Sequence, residues 1–176
     1  IDKLSVLSTT IERIAERHVS TNVKGYHYEI VGKYLLGALK EVLGDAATPQ
    51  IVSAWKEGYQ YLVDVFINTE KQMAKERKEM EGGWEDYREF TITKIVPETV
   101  DIFSFYLSPT DGGKVMKWKD GQYTCVRMDV DGQKMQRNYS ISNPSEKGVI
   151  RITVKNVKDA HLVSYKLHSM KVGDKI

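Results

Sequence analysis

The sequence predicts an all-α segment followed by an all-β segment, joined near Gly82 and Gly83. Before this glycine pair, apolar residues recur every three or four positions, which is the period of an amphipathic helix. After it, apolar and polar residues alternate, as in residues 149–154, which is typical of half-buried strands. Several short strands separated by turn residues indicate an antiparallel barrel or sandwich. The predicted fold class is therefore α+β with two domains, 1–81 and 82–176.

Three helices are predicted in the first domain. Four residues of the first helix share one face, Ile11, Ile14, Ala15 and His18. The second helix is expected to end at Gly44, because glycine readily takes the positive φ of a helix C-cap. The third is expected to begin with Thr48 as N-cap and Pro49 as first helical residue. It ends in the charged run EKQMAKERKEME, which indicates a solvated helix end leading to a linker.

The second domain contains a strong hairpin signal. Asp131 and Gly132 lie between two apolar-alternating segments, and Asp-Gly favours a two-residue turn between antiparallel strands. The first strand of this domain is predicted to begin at Phe90, where period-two alternation starts.

Composition excludes several classes of protein. The 26 basic and 24 acidic residues are spread along the chain, so no run is suited to binding a nucleic acid backbone. No apolar stretch approaches the roughly 20 residues needed to span a bilayer, and the first residues do not resemble a signal peptide. With one cysteine, Cys125, the chain has no internal disulfide and no cysteine-based metal site. A cytoplasmic protein is expected, and the chain is predicted to begin inside a longer one.

His18, Tyr28 and Glu70 are the candidate chemical residues of the helical domain. His18 lies on the apolar face of its helix, so it is either a core histidine bonded to a carbonyl or a metal ligand such as haem iron accepts. Glu70 continues the apolar row of the third helix, so it is either an exposed helix-end residue or a buried carboxylate with a partner. The phenol of Tyr28 is able to supply that partner or simply to pack.

These residues resemble the late globin helices of the flavohaemoglobin family. The matching segments are residues 14–20, 28–32, 35–36, 41–48, 54–55, 65–68 and 70. The resemblance implies that His18 is the proximal iron ligand of haem b, with Tyr28 and Glu70 as a hydrogen-bonded relay behind it. Such a relay makes the imidazole more electron-donating, which favours O₂ activation over storage. Arg17 stands where the family usually has a lysine thought to tune the haem and flavin potentials.

The β segment resembles the FAD-binding barrel of ferredoxin-reductase-like proteins. The similarity rests on Gly82-Gly83-Trp84 with Phe90, then Gly121-Gln122-Tyr123, and then Arg137-Asn138-Tyr139-Ser140. It implies a guanidinium fork for the FAD pyrophosphate, an aromatic face for the isoalloxazine and a hydroxyl for the ring edge. The residues implied to hold FAD are Tyr123, Arg137, Asn138, Tyr139, Ser140, Val163 and Ser164. The sequence departs from the family at Asp159-Ala160-His161, where glycines are common, so the phosphate contacts of that loop are in doubt.

The resemblance implies a nitric oxide dioxygenase that converts nitric oxide and O₂ to nitrate, with electrons passing from NAD(P)H through FAD to haem. The family's first globin helices would precede Ile1 and its nicotinamide domain would follow Ile176. No Gly-x-Gly-x-x-Gly turn occurs in the sequence. The 176 residues alone are therefore expected to be inactive.

Two other functions fit the same residues. One is a flavin reductase module whose helical segment is only structural, which would show no haem absorption band. The other is a non-catalytic haem-binding or sensing module, in which no electron would pass from flavin to haem.

Overall fold

The computed structural model describes residues 7–145, 148–157 and 162–176. It contains two compact units, Ile1–Ala74 and Lys75–Ile176. The division lies inside the third helix, so the end of that helix belongs to the second unit. The domain boundary between residues 81 and 82 stays a prediction. Among the described helices, none combines the length and apolar character that crossing a membrane requires.

The described residues of the first unit form α1 (Ser8–Ser20), α2 (Gly25–Leu43), a short 3-10 helix (Gly44–Ala46) and most of α3 (Pro49–Glu79). The ends predicted for α2 and α3 are confirmed. Gly44 follows α2 with a φ of 52°, and Pro49 is the first residue of α3. The hydroxyl of Thr48 accepts a hydrogen bond from the Ile51 amide at 3.4 Å, as expected of an N-cap.

The apolar faces of this unit are only partly covered by the described residues. In α1 only Ala15 is buried, whereas Ile14 is 37% exposed and the His18 side chain is 29% exposed. The described residues therefore cover the side chains of Ile14 and His18 only in part. Periodicity shows which side chains share a face, but burial depends on what packs against that face.

Within the part of the second unit that the structure describes, the strands are β1 (Phe90–Pro97), β2 (Ile102–Pro109), β3 (Tyr123–Val130), β4 (Gln133–Ser140) and β5 (Ile150–Lys155), and a short helix follows, α4 (Val163–His168). All strand pairs are antiparallel, with one sheet in the order β1-β2-β5 and another formed by β3 and β4. A bridge between Ile141 and Ile152 connects the two sheets. Residues 173–176 pair with the start of β1, which extends the first sheet.

The core of this unit lies between the two sheets and α4. Its fully buried large side chains include Ile92, Phe105, Ile152 and Leu167. The turn between β3 and β4 is the predicted hairpin turn, because Asp131 and Gly132 both have positive φ, 52° and 80°. That combination belongs to the turn type whose twist matches paired strands.

The glycine pair after α3 forms a tightly packed turn. Gly82 has a φ of 75°, and a Cβ on it would lie 2.6 Å from the Val115 carbonyl carbon. A Cβ on Gly83 would lie 1.8 Å from the carbonyl oxygen of Arg77, at the end of α3. These backbone contacts leave room only for hydrogen at both positions.

Candidate functional site

His18, Tyr28 and Glu70 meet in one hydrogen-bonded group, although they lie on three different helices. His18 Nδ1 is 2.7 Å from Glu70 Oε1 and 2.9 Å from the Tyr28 hydroxyl. The Tyr28 hydroxyl also donates a short hydrogen bond to Glu70 Oε1. Of the two interpretations left open for Glu70, the structure selects the buried carboxylate with partners, since this residue is 9% exposed.

The carboxylate determines which nitrogen of His18 carries the proton. An ionised carboxylate only accepts hydrogen bonds, so Nδ1 must be the protonated nitrogen when it faces Glu70. The neutral imidazole then has its lone pair on Nε2, which is the form that binds a metal. Among the described residues, Nε2 has no hydrogen-bond partner. A metal ligand whose other nitrogen is held by a carboxylate fits this arrangement.

Burial keeps Tyr28 in its neutral form. The phenol is 8% exposed, and burial, followed by its hydrogen bond to Glu70, raises its pKa well above the ordinary value. It therefore remains a donor to the carboxylate at any physiological pH. The ring of Phe66 packs against both residues. Its centroid lies 5.7 Å from that of His18 and 6.4 Å from that of Tyr28.

Tyr59 and Gly32 also belong to this group, and their contact was not predicted from the sequence. The Tyr59 hydroxyl donates to the Tyr28 carbonyl at 2.7 Å. A Cβ on Gly32 would lie 2.6 Å from Tyr59 Cε1, so the ring lies directly on the glycine. Helical spacing gave a hint of this contact. Tyr59 shares a face of α3 with Glu70, and Gly32 lies one turn after Tyr28 in α2. Arg17, by contrast, is exposed near the end of α1, and its tuning role stays a prediction.

The predicted flavin residues are arranged on both faces of the β3–β4 hairpin. Arg137 and Tyr139 lie two positions apart on one face, whereas Asn138 and Ser140 lie on the other. Tyr123, the first residue of β3, is paired with Ser140, the last residue of β4. The structure therefore brings Tyr123 and Ser140 together directly, and it places Arg137 and Tyr139 beside them on the opposite face.

Arg137 and Tyr139 have the chemistry that a dinucleotide requires. The exposed guanidinium of Arg137 donates to the adjacent Gln136 carbonyl at 2.7 Å, and it retains further N–H donors for an anion. Tyr139 packs partly against the core, and burial raises its pKa to about 12. The residue is thus a neutral aromatic surface next to a cation, which fits a flat ring joined to a phosphate.

Val163 and Ser164 are buried in the first turn of α4, which packs against both β3 and β4. Their placement near the hairpin is compatible with the predicted contact to FAD, which stays a prediction. The departure from the family at residues 159–161 lies outside the described residues.

Two protein families match this chain. Residues 1–66 match the family Globin, and residues 89–176 match the family Oxidoreductase FAD-binding domain. A flavohemoprotein of Halalkalibacterium halodurans is 44% identical over 157 residues, which cover 88% of this chain and 38% of that protein. A flavohemoprotein of Pseudomonas putida is 40% identical over 175 residues, which cover 99% of this chain and 45% of that protein.

A solved structure agrees with both matches. The flavohemoglobin of Malassezia yamatoensis, crystallised with bound FAD and heme, has a TM-score of 0.79 and 29% identity to this chain. The match covers 96% of this chain and 43% of that structure. The chain thus spans less than half the length of its relatives. The predicted fold class, globin helices followed by an antiparallel FAD-binding barrel, is confirmed, and the chain belongs to the flavohaemoglobin family.

Proposed function

We propose that the complete protein containing this chain oxidises nitric oxide with O₂ to nitrate, using haem b, FAD and electrons from NAD(P)H. The observation that carries this proposal is the contact of His18, Tyr28 and Glu70, because it leaves Nε2 of the histidine available to a metal. The proposal includes globin helices and a nicotinamide domain outside the 176 residues, and a cytoplasmic location.

In this proposal the helical unit holds haem through His18 Nε2. When bound, haem would supply the iron at which O₂ reacts with nitric oxide. Glu70 and Tyr28 keep the proton on Nδ1 and restrict rotation of the ring, so the lone pair of Nε2 stays directed at the metal. The anionic carboxylate also gives the imidazole partial negative character, which increases its donation to the iron.

The barrel holds FAD in the same proposal. When bound, FAD would accept a hydride from NAD(P)H and release its electrons one at a time. Arg137 neutralises the pyrophosphate and Tyr139 packs against the flat ring, while Tyr123, Asn138, Ser140, Val163 and Ser164 surround the rest of the cofactor. Because the phenol of Tyr139 is neutral and partly buried, it offers an aromatic surface without placing a charge beside the flavin.

The alternative functions are less well supported. A flavin reductase whose helical segment is only structural has no need for an imidazole oriented by a buried carboxylate and a phenol. The match to Globin over residues 1–66 also covers the helix that carries His18.

Nitric oxide consumption by the full-length protein tests the proposal. With NADH and O₂ present, we expect one nitrate to form for each nitric oxide consumed, and we expect activity to require both haem and FAD. The measurement combines a nitric oxide electrode with nitrate analysis and absorption spectra of the two cofactors. NADH oxidation that proceeds at the same rate without haem, and without nitrate formation, would support the flavin reductase alternative.

Replacement of Arg137 by alanine is expected to weaken FAD binding. Hydrogen bonds to a charged group are worth about 1.5–3 kcal/mol, which corresponds to about ten- to hundredfold in affinity. FAD affinity is measured by fluorescence titration of the flavin-free protein. Lys134→Ala on the same strand is the control, because it removes an exposed cation that has no predicted flavin contact. Equal affinities for the two variants would contradict the role assigned to Arg137.

A further inference from the structure

The hairpin that carries Arg137 is a sheet of only two strands, β3 and β4. An isolated two-stranded ribbon is marginally stable in water, so its conformation depends on what packs against its faces. One face packs on the core of the barrel unit through Val126, Met128 and Met135. Because side chains alternate along a strand, the residues between them point away from that core. We call this second side the outer face, and it carries the cross-strand pairs Tyr123–Ser140, Cys125–Asn138 and Arg127–Gln136.

Tyr87 covers the outer face at one of these pairs. The guanidinium carbon of Arg127 lies 3.6 Å from the centroid of the Tyr87 ring. The Tyr87 hydroxyl donates a hydrogen bond to Gln136 Oε1 at 2.6 Å. Since Arg127 belongs to β3 and Gln136 belongs to β4, one tyrosine contacts both strands of the hairpin.

The environment of Tyr87 favours a lasting contact. The residue is half-buried, and burial raises the pKa of its phenol above the ordinary value. The hydroxyl therefore stays protonated at physiological pH and remains a donor to Gln136. The face of an aromatic ring also attracts a guanidinium, so the contact with Arg127 holds the ring in place while the hydroxyl makes its bond.

Gln136 is in turn the residue that holds the side chain of Arg137. Arg137 Nη1 donates to the Gln136 carbonyl at 2.7 Å. The Tyr87 hydroxyl thus fixes the side chain of Gln136, and the carbonyl of Gln136 fixes the guanidinium of Arg137. A flexible side chain that is already oriented before it binds an anion loses less freedom on binding, which increases affinity.

We propose that Tyr87 is a positioning residue for FAD binding, because it fixes the residue whose carbonyl orients Arg137. The inference rests on the part of the proposed function that assigns the FAD pyrophosphate to Arg137. Without the Tyr87 hydroxyl, the Gln136 side chain and the adjacent peptide gain freedom on the outer face. The Arg137 guanidinium then takes up more orientations, and ordering it on FAD lowers the affinity.

Fluorescence titration of the flavin-free, full-length protein with FAD tests this inference. Tyr87→Phe keeps the ring over Arg127 but removes the hydroxyl that bonds Gln136. The titration is repeated with Arg137→Ala and with the double variant. Tyr106→Phe is the matched control, because Tyr106 is a half-buried tyrosine of β2 whose ring also lies beneath cations, Lys94 and Arg151. Thermal unfolding shows whether each variant is folded before its affinity is measured.

We expect Tyr87→Phe to weaken FAD binding about three- to tenfold, the effect of one hydrogen bond. The double variant should bind FAD within about twofold of Arg137→Ala alone, because the hydroxyl acts through Arg137. A residue that only stabilises the hairpin would instead weaken binding by the same factor with and without Arg137. Tyr106→Phe should bind FAD as the wild type does.

Wild-type affinity in Tyr87→Phe would overturn the inference. An equal loss in the presence and absence of Arg137 would overturn it as well, and so would wild-type affinity in Arg137→Ala. The titration requires neither haem nor nitric oxide, so it is independent of the overall reaction. If the titrations give the expected results but the loaded wild-type protein forms no nitrate, the proposed function is contradicted and the role of Tyr87 is supported.

Discussion

Replacement of His18 by alanine is expected to remove the axial ligand of haem in the full-length protein. The structure offers a specific reason, since Nε2 of this residue is the nitrogen left with a lone pair when Glu70 holds the proton on Nδ1. Haem binding should weaken strongly, and any haem retained should lack an axial protein nitrogen. Resonance Raman spectra of the ferrous protein measure this directly, because the iron–histidine stretch should disappear. An unaltered iron–histidine stretch in His18→Ala would contradict the assignment of His18 as the axial ligand of haem.

Variants of Tyr28 and Glu70 distinguish the iron ligand from the residues that orient it. Tyr28→Phe and Glu70→Gln should retain haem but lower the iron–histidine stretching frequency and nitric oxide consumption. Groups that orient a metal ligand commonly change affinity or activity by about 10–100-fold. Because both residues bond the same nitrogen of His18, the double variant should lose little more than either single one. Full nitric oxide consumption and an unchanged iron–histidine stretching frequency in both single variants would show that Tyr28 and Glu70 only contribute to packing.

Replacement of Gly83 by alanine is expected to destabilise the turn that follows α3. The added Cβ would lie 1.8 Å from the Arg77 carbonyl oxygen and 2.9 Å from that of Met80. These are backbone atoms of the helix end, so the helix terminus itself must shift. Overpacking of this kind costs about 1–3 kcal/mol and sometimes more, and each kcal/mol lowers Tm by about 2–4 °C in a chain of this size. Thermal unfolding monitored by circular dichroism gives the shift.

Gly58→Ala is the matched control for this measurement. Gly58 lies inside α3, and among the described residues no atom outside the local helix backbone lies within 4 Å of a Cβ placed there. Because alanine is a better helix former than glycine, this control should gain about 0.5–1 kcal/mol. Amide hydrogen exchange shows where the structure is destabilised. In Gly83→Ala, the backbone amides of residue 83 and Met116 should lose protection against exchange. Equal melting temperatures for the two variants would show that the turn is not tightly packed.

Much of the architecture was predictable because its causes are local. Pro49 begins α3 since its fixed φ suits a first helical turn, and Asp131 with Gly132 forms the hairpin since both residues tolerate positive φ. The strands follow alternation, although β5 begins at Ile150 and not at Val149. Such signals depend on a few neighbouring residues, so they can be recognised without knowledge of the tertiary structure.

The relay was predictable only as a set of candidates. Helical spacing placed His18 and Glu70 on apolar faces, and the family resemblance suggested their partnership. The contact itself joins residues 52 positions apart, and the bond from Tyr28 to Glu70 spans 42. Whether a carboxylate on a charged helix is exposed or buried depends on what lies opposite, and only the packing of α1, α2 and α3 determines that.

By itself, the sequence predicted three helices followed by antiparallel strands, the hairpin and the family resemblance, and it supplied the residues that are proposed to hold haem and FAD. Only the tertiary structure decided that His18 stays partly exposed, that Tyr59 bonds the carbonyl of Tyr28, and that the turn at Gly82 and Gly83 is tightly packed. The charged run before Gly82 indicates solvent exposure, since charge disfavours burial. The tight packing of Gly82 becomes visible only when the backbone atoms of Lys114 and Val115, distant in sequence, are brought within contact distance.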